Sequence, residues 1–228
     1  MQCVIVCAGK GTRMQPLTNT CPKPLIRVCD KTILDHIVDA LPPEIDELVL
    51  VVGYLKEQIE AYCGSAFKGK RVLYRAQENY AGGTGEALLC AKDALHGKFL
   101  FMYGDDIHGK ETLARAIQCD HCILGTYSPN PERYGVLVPN ADGTLKAIIE
   151  KPKEPPSNLI NIGGFVMNES IFSYTVPVSS SGELYVTDML TAYAQDNPVQ
   201  ILAQDFWLPI GYPEDIEKAE KVLCAHIA

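Results

Sequence analysis

Several things are missing from this chain, and each absence removes a class of protein. No apolar run approaches the roughly 20 residues that a membrane-spanning helix needs, so no membrane partner is expected. Positive charge is in short supply. The 20 Lys and Arg against 28 Asp and Glu leave a formal charge of -8, whereas a duplex-binding surface needs a basic face to neutralise phosphates. No nucleic acid is expected as a partner, although a few local cations could still hold a small phosphorylated molecule. The N-terminus, Met1-Gln2-Cys3-Val4-Ile5-Val6, has neither the basic region nor the small-residue cleavage site of a signal peptide, and reads as a strand that begins at once. Regular cysteine spacing is absent too. The nine cysteines are odd in number and irregular, unlike a disulfide framework. The single C-x-x-C, Cys119-Asp120-His121-Cys122, lacks the second pair that would complete a four-ligand zinc site. Cys119 and Cys122 are expected to be structural thiols, and the compartment is expected to be reducing, hence the cytoplasm.

What is present is alternation. Cys3 to Ala8, Leu48 to Val52, Val72 to Tyr74, Phe99 to Tyr103 and Cys122 to Tyr127 are short apolar runs of the kind that form buried parallel strands. Between them lie helical patterns: Ile33, Ile37, Val38 and Leu41 on one face behind a Thr32 cap, then Glu86 to Leu95 and Thr112 to Gln118. Strand and helix alternating at this spacing imply a parallel sheet covered on both faces. After Pro129 the rhythm changes. Tyr134 to Val138 and Leu145 to Glu150 flank an Asn140-Ala141-Asp142-Gly143 turn and read as a hairpin. Leu159 to Met167 follows as a strand, with helices over Val186 to Gln195 and Glu214 to His226. There is no repeat, and the proline-rich 151–156 reads as a loop. The expectation is one α/β domain over 1–228, with a mixed second half. Open parallel sheets bind ligands beyond the carboxyl ends of their strands, so chemistry is expected just after the predicted strands.

The first such loop reads Ala8-Gly9-Lys10-Gly11-Thr12-Arg13-Met14-Gln15-Pro16. Two glycines directly after a strand let backbone N–H groups approach an anion; the same residues also make a plain tight turn. Met14 stands where a dinucleotide fingerprint has its third glycine, and no G-x-x-x-x-G-K-[ST] loop exists. Arg13 and, ten residues on, Lys23 in Cys21-Pro22-Lys23-Pro24-Leu25 place two cations where a triphosphate could be neutralised. Gly104-Asp105-Asp106 closes the apolar strand from Phe99. A carboxylate there suits Mg²⁺, which takes one or two carboxylates plus phosphate oxygens and water, and an Asp-Asp pair is equally a common loop feature.

The glycine loop together with Pro22-Lys23-Pro24-Leu25 resembles the signature of the sugar-1-phosphate nucleotidyltransferases, among them glucose-1-phosphate thymidylyltransferases and the uridylyltransferase domain of bifunctional N-acetylglucosamine-1-phosphate enzymes. The resemblance runs over roughly residues 3 to 218. It implies a Rossmann-like three-layer sandwich with a mixed, mostly parallel central sheet, of the nucleotide-diphospho-sugar transferase type. The nucleotide-binding half would be about 1–128 and the sugar-binding half about 129–228. It implies catalytic roles for Arg13, Lys23 and Asp105, with Asp105 on Mg²⁺, and nucleotide contacts from Ala8, Gly9, Gly11, Thr12, Gln77, Gly82 and Thr84. Gln77 would read a uracil or thymine edge, since an amide both donates and accepts; otherwise it is an exposed strand-end residue. Tyr134, Gly135, Glu150, Lys151 and Asn161 match the family's sugar-phosphate segments, and Glu183 to Asp188 resembles its Glu-x-x-x-Thr-Asp stretch, where Thr187 or Asp188 could also cap a helix. Phe165 replaces the family's tyrosine. One departure is sharper: Pro209 stands where the thymidylyltransferases carry a second metal-binding aspartate, so Asp205 or Asp215 would have to substitute, and Asp215 could equally cap the last helix.

The implied reaction joins a nucleoside triphosphate, UTP or dTTP favoured, to a hexose 1-phosphate and releases pyrophosphate. The alternatives are a non-catalytic nucleotide-sugar-binding or regulatory subunit of the same fold, and a cytidylyltransferase for a small phosphate such as phosphocholine. The chain stops soon after its last helix, so the resemblance carries no β-helix acetyltransferase domain. A homo-oligomer, a dimer by default, is the expectation for assembly.

Overall fold

The strand Cys3 to Cys7 shows why this sequence builds three layers. Cys3, Ile5 and Cys7 point into one apolar cluster and Val4 into another, because successive side chains of a strand leave opposite faces. The computed structural model, which describes residues 1–204 and 206–224, repeats this split along the neighbouring strands. Leu48, Leu50, Val52, Leu100 and Met102 join the first cluster; Val49, Val51, Phe99 and Phe101 join the second. A sheet apolar on both faces needs a helical layer on each.

From the N-terminus the elements are β1 (Gln2–Cys7), the short β2 (Arg27–Val28) and β3 (Lys31–Thr32), α1 (Ile33–Ala40), β4 (Glu47–Val52), α2 (Lys56–Cys63), β5 (Ala66–Phe67) and β6 (Lys70–Ala76). Next come α3 (Thr84–Ala91), β7 (Lys98–Tyr103), β8 (Asp106–His108), α4 (Lys110–Ala116) and β9 (Cys122–Tyr127). The chain continues with β10 (Gly135–Pro139), β11 (Leu145–Glu150), β12 (Leu159–Asn168), α5 (Val186–Tyr193), β13 (Gln200–Ala203), β14 (Trp207–Pro209) and α6 (Pro213–Leu223). Side chains from α1, α2, α4 and α6 fill the first cluster, and those from α3 and α5 fill the second.

The sheet runs β11-β10-β12-β7-β1-β4-β6-β5, with β9 on β12 and β13 on β9. Its centre, β7-β1-β4-β6, is parallel, whereas β12 lies antiparallel to β7 and β10-β11 is an antiparallel hairpin. The chain moves outward from β1 to β6 and then returns to β7 on the other side of β1. A reversal of strand order opens a crevice at the carboxyl ends of the strands on either side, and the loops after β1 and β7 carry Gly9 to Arg13 and Asp105.

The irregular cysteines form no disulfide framework among the described residues, but one pair is bonded. Cys29 and Cys224 form a disulfide, with Cα atoms 6.3 Å apart across a sequence separation of 195. It exists because α6 folds back beside β2. Cys119 and Cys122 are free, as expected. No described helix is long and apolar enough to cross a membrane.

Candidate active site

A cavity of about 920 Å³ opens at the carboxyl ends of β1 and β7. Arg13, Thr84 and Asp105 reach it from the first half of the chain; Tyr134, Gly135, Glu150, Lys151, Asn161 and Asp215 reach it from the second.

The loop after β1 is shaped by its glycines. Gly11 has φ +62, and a Cβ there would stand 3.3 Å from the Lys23 Cβ, so only glycine lets the lysine pack this closely. Around it the chain winds through the short turns Thr12–Met14, Leu17–Asn19 and Lys23–Leu25, the last fixed by Pro22 and Pro24. Lys23 is thereby buried, and its ammonium meets Asp105 Oδ2 at 2.5 Å. This is the contact that joins the two loops. Asp105 is held from the other side by β14's continuation, where the Ile210 N–H donates to the Asp105 carbonyl at 3.0 Å.

Asp106 was visible in the sequence beside Asp105 but carried no assignment. It lies buried on the cavity wall, accepting a hydrogen bond from Trp207 Nε1 at 3.1 Å. Burial pushes its carboxyl well above the ordinary carboxylate range, and the Asp105 charge adds to this against the opposing pull of Lys23. Pro209 is its direct partner in the β8–β14 ladder and brings no side-chain donor.

The expected sugar residues converge. Gly135 pairs with Glu150 across the hairpin, and a Cβ on Gly135 would come within 3.0 Å of Glu150 Oε2 and 3.7 Å of Asn161 Cβ. Lys151 donates its backbone N–H to the Tyr134 carbonyl at 3.0 Å, while its ammonium lies 3.6 Å from Glu150 Oε1. Asn161 Oδ1 accepts from the Gly163 N–H at 2.9 Å, and Tyr134 packs edge-on against Trp207. Glu183, Tyr185 and Thr187 complete that wall, with Glu183 accepting the Tyr185 hydroxyl proton in a short hydrogen bond.

The remaining nucleotide residues do not line this cavity. Ala8, Gly53 and Gln77 follow β1, β4 and β6 at one sheet end, so close that a Cβ on Gly53 would stand 2.8 Å from the Ala8 carbonyl and 3.0 Å from that of Gln77. Gln77 is buried rather than exposed, and its amide donates to the Asn79 and Gly83 carbonyls at 3.1 Å each. Gly9 faces open space, and Thr12 is exposed. Gly82 is zipped through its carbonyl to the Leu184 N–H at 2.8 Å, and Gly85 N–H donates to the Leu184 carbonyl at 2.7 Å. Thr84 takes the Val186 N–H at 3.1 Å.

The alternatives to the metal ligand missing at Pro209 fare differently. Asp215 is committed to the start of α6: its Oδ2 accepts the Gly211 and Tyr212 N–H groups at 3.0 and 2.9 Å, and its Oδ1 pairs with Lys218 at 2.9 Å. Both oxygens are taken, which gives it the capping role. Asp205 lies outside the described residues. Among the described residues no group of three or more His, Cys, Asp or Glu could cage a metal. One or two carboxylates on an open cavity suit Mg²⁺, which keeps waters and substrate oxygens in its shell, and Asp105 meets that requirement.

At the carboxyl edge of the sheet's parallel centre, cations and carboxylates thus gather beside one cavity. A nucleotidyl transferase family model matches residues 2–225, and the chain belongs to that family. It is 34% identical over 226 residues to the bifunctional protein GlmU of Methanocaldococcus jannaschii, a match covering 98% of this chain and 54% of that protein. The chain thus spans about half the length of the GlmU relatives it matches. It is 35% identical over 235 residues to the UTP–glucose-1-phosphate uridylyltransferase AglF of Haloferax volcanii, covering 98% of this chain and 96% of AglF. A Bacillus anthracis structure described as a glucose-1-phosphate thymidylyltransferase in complex with sucrose superposes with TM-score 0.87 at 25% identity, over 97% of this chain and 94% of that one.

Proposed function

We propose that the chain transfers a nucleotidyl group from a nucleoside triphosphate, UTP or dTTP in preference, to a hexose 1-phosphate, giving a nucleotide sugar and pyrophosphate. The observation that carries this reading is the Lys23–Asp105 contact. It ties the glycine loop to the acidic turn, at the mouth of a cavity that Arg13 shares with Glu150, Lys151 and Asn161. Two polyanions must approach to bonding distance, and a site of this kind works by positioning and by neutralising charge rather than through a covalent intermediate. An oxygen of the sugar phosphate attacks the α-phosphorus, the bond to the β-phosphate oxygen breaks, and pyrophosphate leaves with the electron pair. Arg13 and Lys23 take the charge developing on the leaving side, and Lys151 holds the attacking phosphate. Glu150 and Asn161 accept and donate to sugar hydroxyls. Asp105 would hold Mg²⁺, whose chemistry is to neutralise phosphate oxygens. Residues 1–128 serve the nucleotide and 129–228 the sugar.

The test is pyrophosphate release from five nucleoside triphosphates against several hexose 1-phosphates, with and without Mg²⁺. Arg13→Ala or Asp105→Ala is expected to lower the rate on the order of a hundredfold or more while leaving the fold intact. Near wild-type turnover in either variant removes that residue's role, and activity confined to GTP removes the role given to Gln77. Pro209 favours a second reading, a nucleotide-sugar-binding subunit without turnover; Mg²⁺-dependent pyrophosphate release separates the two.

A further inference from the structure

The cations in and around the cavity are held in two ways. Lys23 meets Asp105 at 2.5 Å, Lys151 has Glu150 at 3.6 Å and Lys218 has Asp215 at 2.9 Å. Arg13 is held differently. It reaches the cavity from the turn after β1, and among the described residues it forms no ion pair with a carboxylate. Its guanidinium lies over the Tyr212 ring instead, 5.2 Å from the centroid. The backbone next to that ring is close as well: a Cβ on Gly211 would stand 4.0 Å from Arg13 Nη1. Tyr212 is itself fixed. Asp215 Oδ2 accepts the Gly211 and Tyr212 N–H groups at 3.0 and 2.9 Å, and Pro213 opens α6 directly after the ring's residue. The Asp215 cap thus sets where the ring stands, and with it the surroundings of an arginine from the other end of the chain.

Arg13 is exposed. An exposed arginine without an anchor samples many rotamers, so its productive placement costs side-chain entropy when a substrate arrives. A carboxylate anchor would remove that cost, but it would also neutralise the charge and compete with the incoming phosphates. An aromatic face attracts a guanidinium through its quadrupole and carries no net charge, so the cation stays available to phosphate oxygens. We propose that Tyr212 is a positioning residue whose ring face holds the Arg13 guanidinium in place for the triphosphate. The proposal rests on the nucleotidyl-transfer reading, which gives Arg13 its role.

A double-mutant cycle on pyrophosphate release tests it. Tyr212→Leu is expected to lower kcat/KM for the nucleoside triphosphate ~3- to 30-fold, the range of a cation–π contact, with the KM for the sugar 1-phosphate unmoved. Tyr212→Met, a second ringless side chain, should match it, whereas Tyr212→Phe keeps the ring and should recover most of the loss. In an Arg13→Ala background Tyr212→Leu should cost little further, because the ring then has no guanidinium to hold. A loss of equal size in both backgrounds overturns the proposal, since it marks a structural role or a direct substrate contact of Tyr212. Wild-type turnover in Tyr212→Leu, or a loss in Tyr212→Phe as large as in Tyr212→Leu, overturns it as well and leaves the reaction standing. A wild-type protein that releases pyrophosphate from no triphosphate in the presence of Mg²⁺ defeats the nucleotidyl-transfer reading itself.

Discussion

At the scale of single residues, the glycines separate folding from chemistry. Gly163 has φ +83, and a Cβ on it would lie 2.2 Å from Tyr103 Cδ2 and 2.9 Å from Asp106 Oδ2. A side chain here meets both backbone strain and a packed ring, so Gly163→Ala is expected to cost about 2–4 kcal/mol in a urea unfolding series. Gly9 is the opposite case. Nothing lies within 4 Å of a Cβ built there, so Gly9→Ala should leave the unfolding midpoint nearly unchanged. Its cost should fall instead on the triphosphate, whose approach to the loop N–H groups the methyl obstructs, raising KM on the order of tenfold. Equal destabilisation of the two variants would show that Gly9 serves the fold alone. The sequence made both glycines visible but not this difference, because burial around Gly163 comes from β7 and β8, distant in the chain.

At the scale of elements, α1 was the most legible. Thr32 accepts the Asp35 N–H at 3.0 Å, and Asp35 answers by accepting the Thr32 N–H at 2.8 Å, the reciprocal cap that a threonine and an acid three residues on can make. Tyr62 from α2 donates to the same carboxylate at 2.6 Å, and Lys68 pairs with it at 3.1 Å. Burial raises the Asp35 carboxyl, but the hydrogen bonds from Tyr62, Thr32 and Lys68 outweigh it and hold the group well below the carboxylate range. A depressed carboxyl stabilises the fold above the unfolded value, about pH 4, and that contribution is lost as pH falls through the folded value. Thr32→Ala should therefore cost ~1 kcal/mol at pH 7. Asp35→Asn should flatten the loss of stability that denaturant titrations of the wild type reveal below about pH 4; an unchanged acid limb would show that the cap carries no ionic share. The strands β1, β4, β7, β9 and the β10–β11 hairpin were equally readable, since each buries enough apolar residues to announce its period. The helix α2 was not, with Ile59 and Cys63 its only buried residues in an octet that includes Lys56, Glu57, Gln58 and Glu60. The strands β8, β13 and β14, of three or four residues, were not either, because they are strands only through partners far away in sequence.

At the scale of the whole molecule, the candidate site is a product of closure. Its loops were legible because glycine, proline and charge mark them locally; Asp106 was not, because its burial and its bond from Trp207 exist only once β14 pairs with β8. The same holds for Cys29 and Cys224. No spacing pattern relates residues 195 apart, and nothing in the composition distinguishes them from the seven free cysteines, of which Cys3, Cys7, Cys63 and Cys122 are buried. Their bond pins α6, which brings Tyr212, Asp215 and Lys218 to the cavity, against the hairpin that follows the Lys23 turn. A cross-link closing so long a loop restricts the unfolded chain more than the folded one, an effect of typically about 2–4 kcal/mol. Cys29→Ser with Cys224→Ser should lower the unfolding free energy from urea titrations by that amount relative to oxidised wild type. Wild type treated with reductant should match the double variant, and reductant should leave the variant itself unaffected. If oxidised wild type and the variant unfold together, the bond contributes nothing to stability, and the packing of Ala219, Ile216 and Leu223 against the core suffices to hold α6.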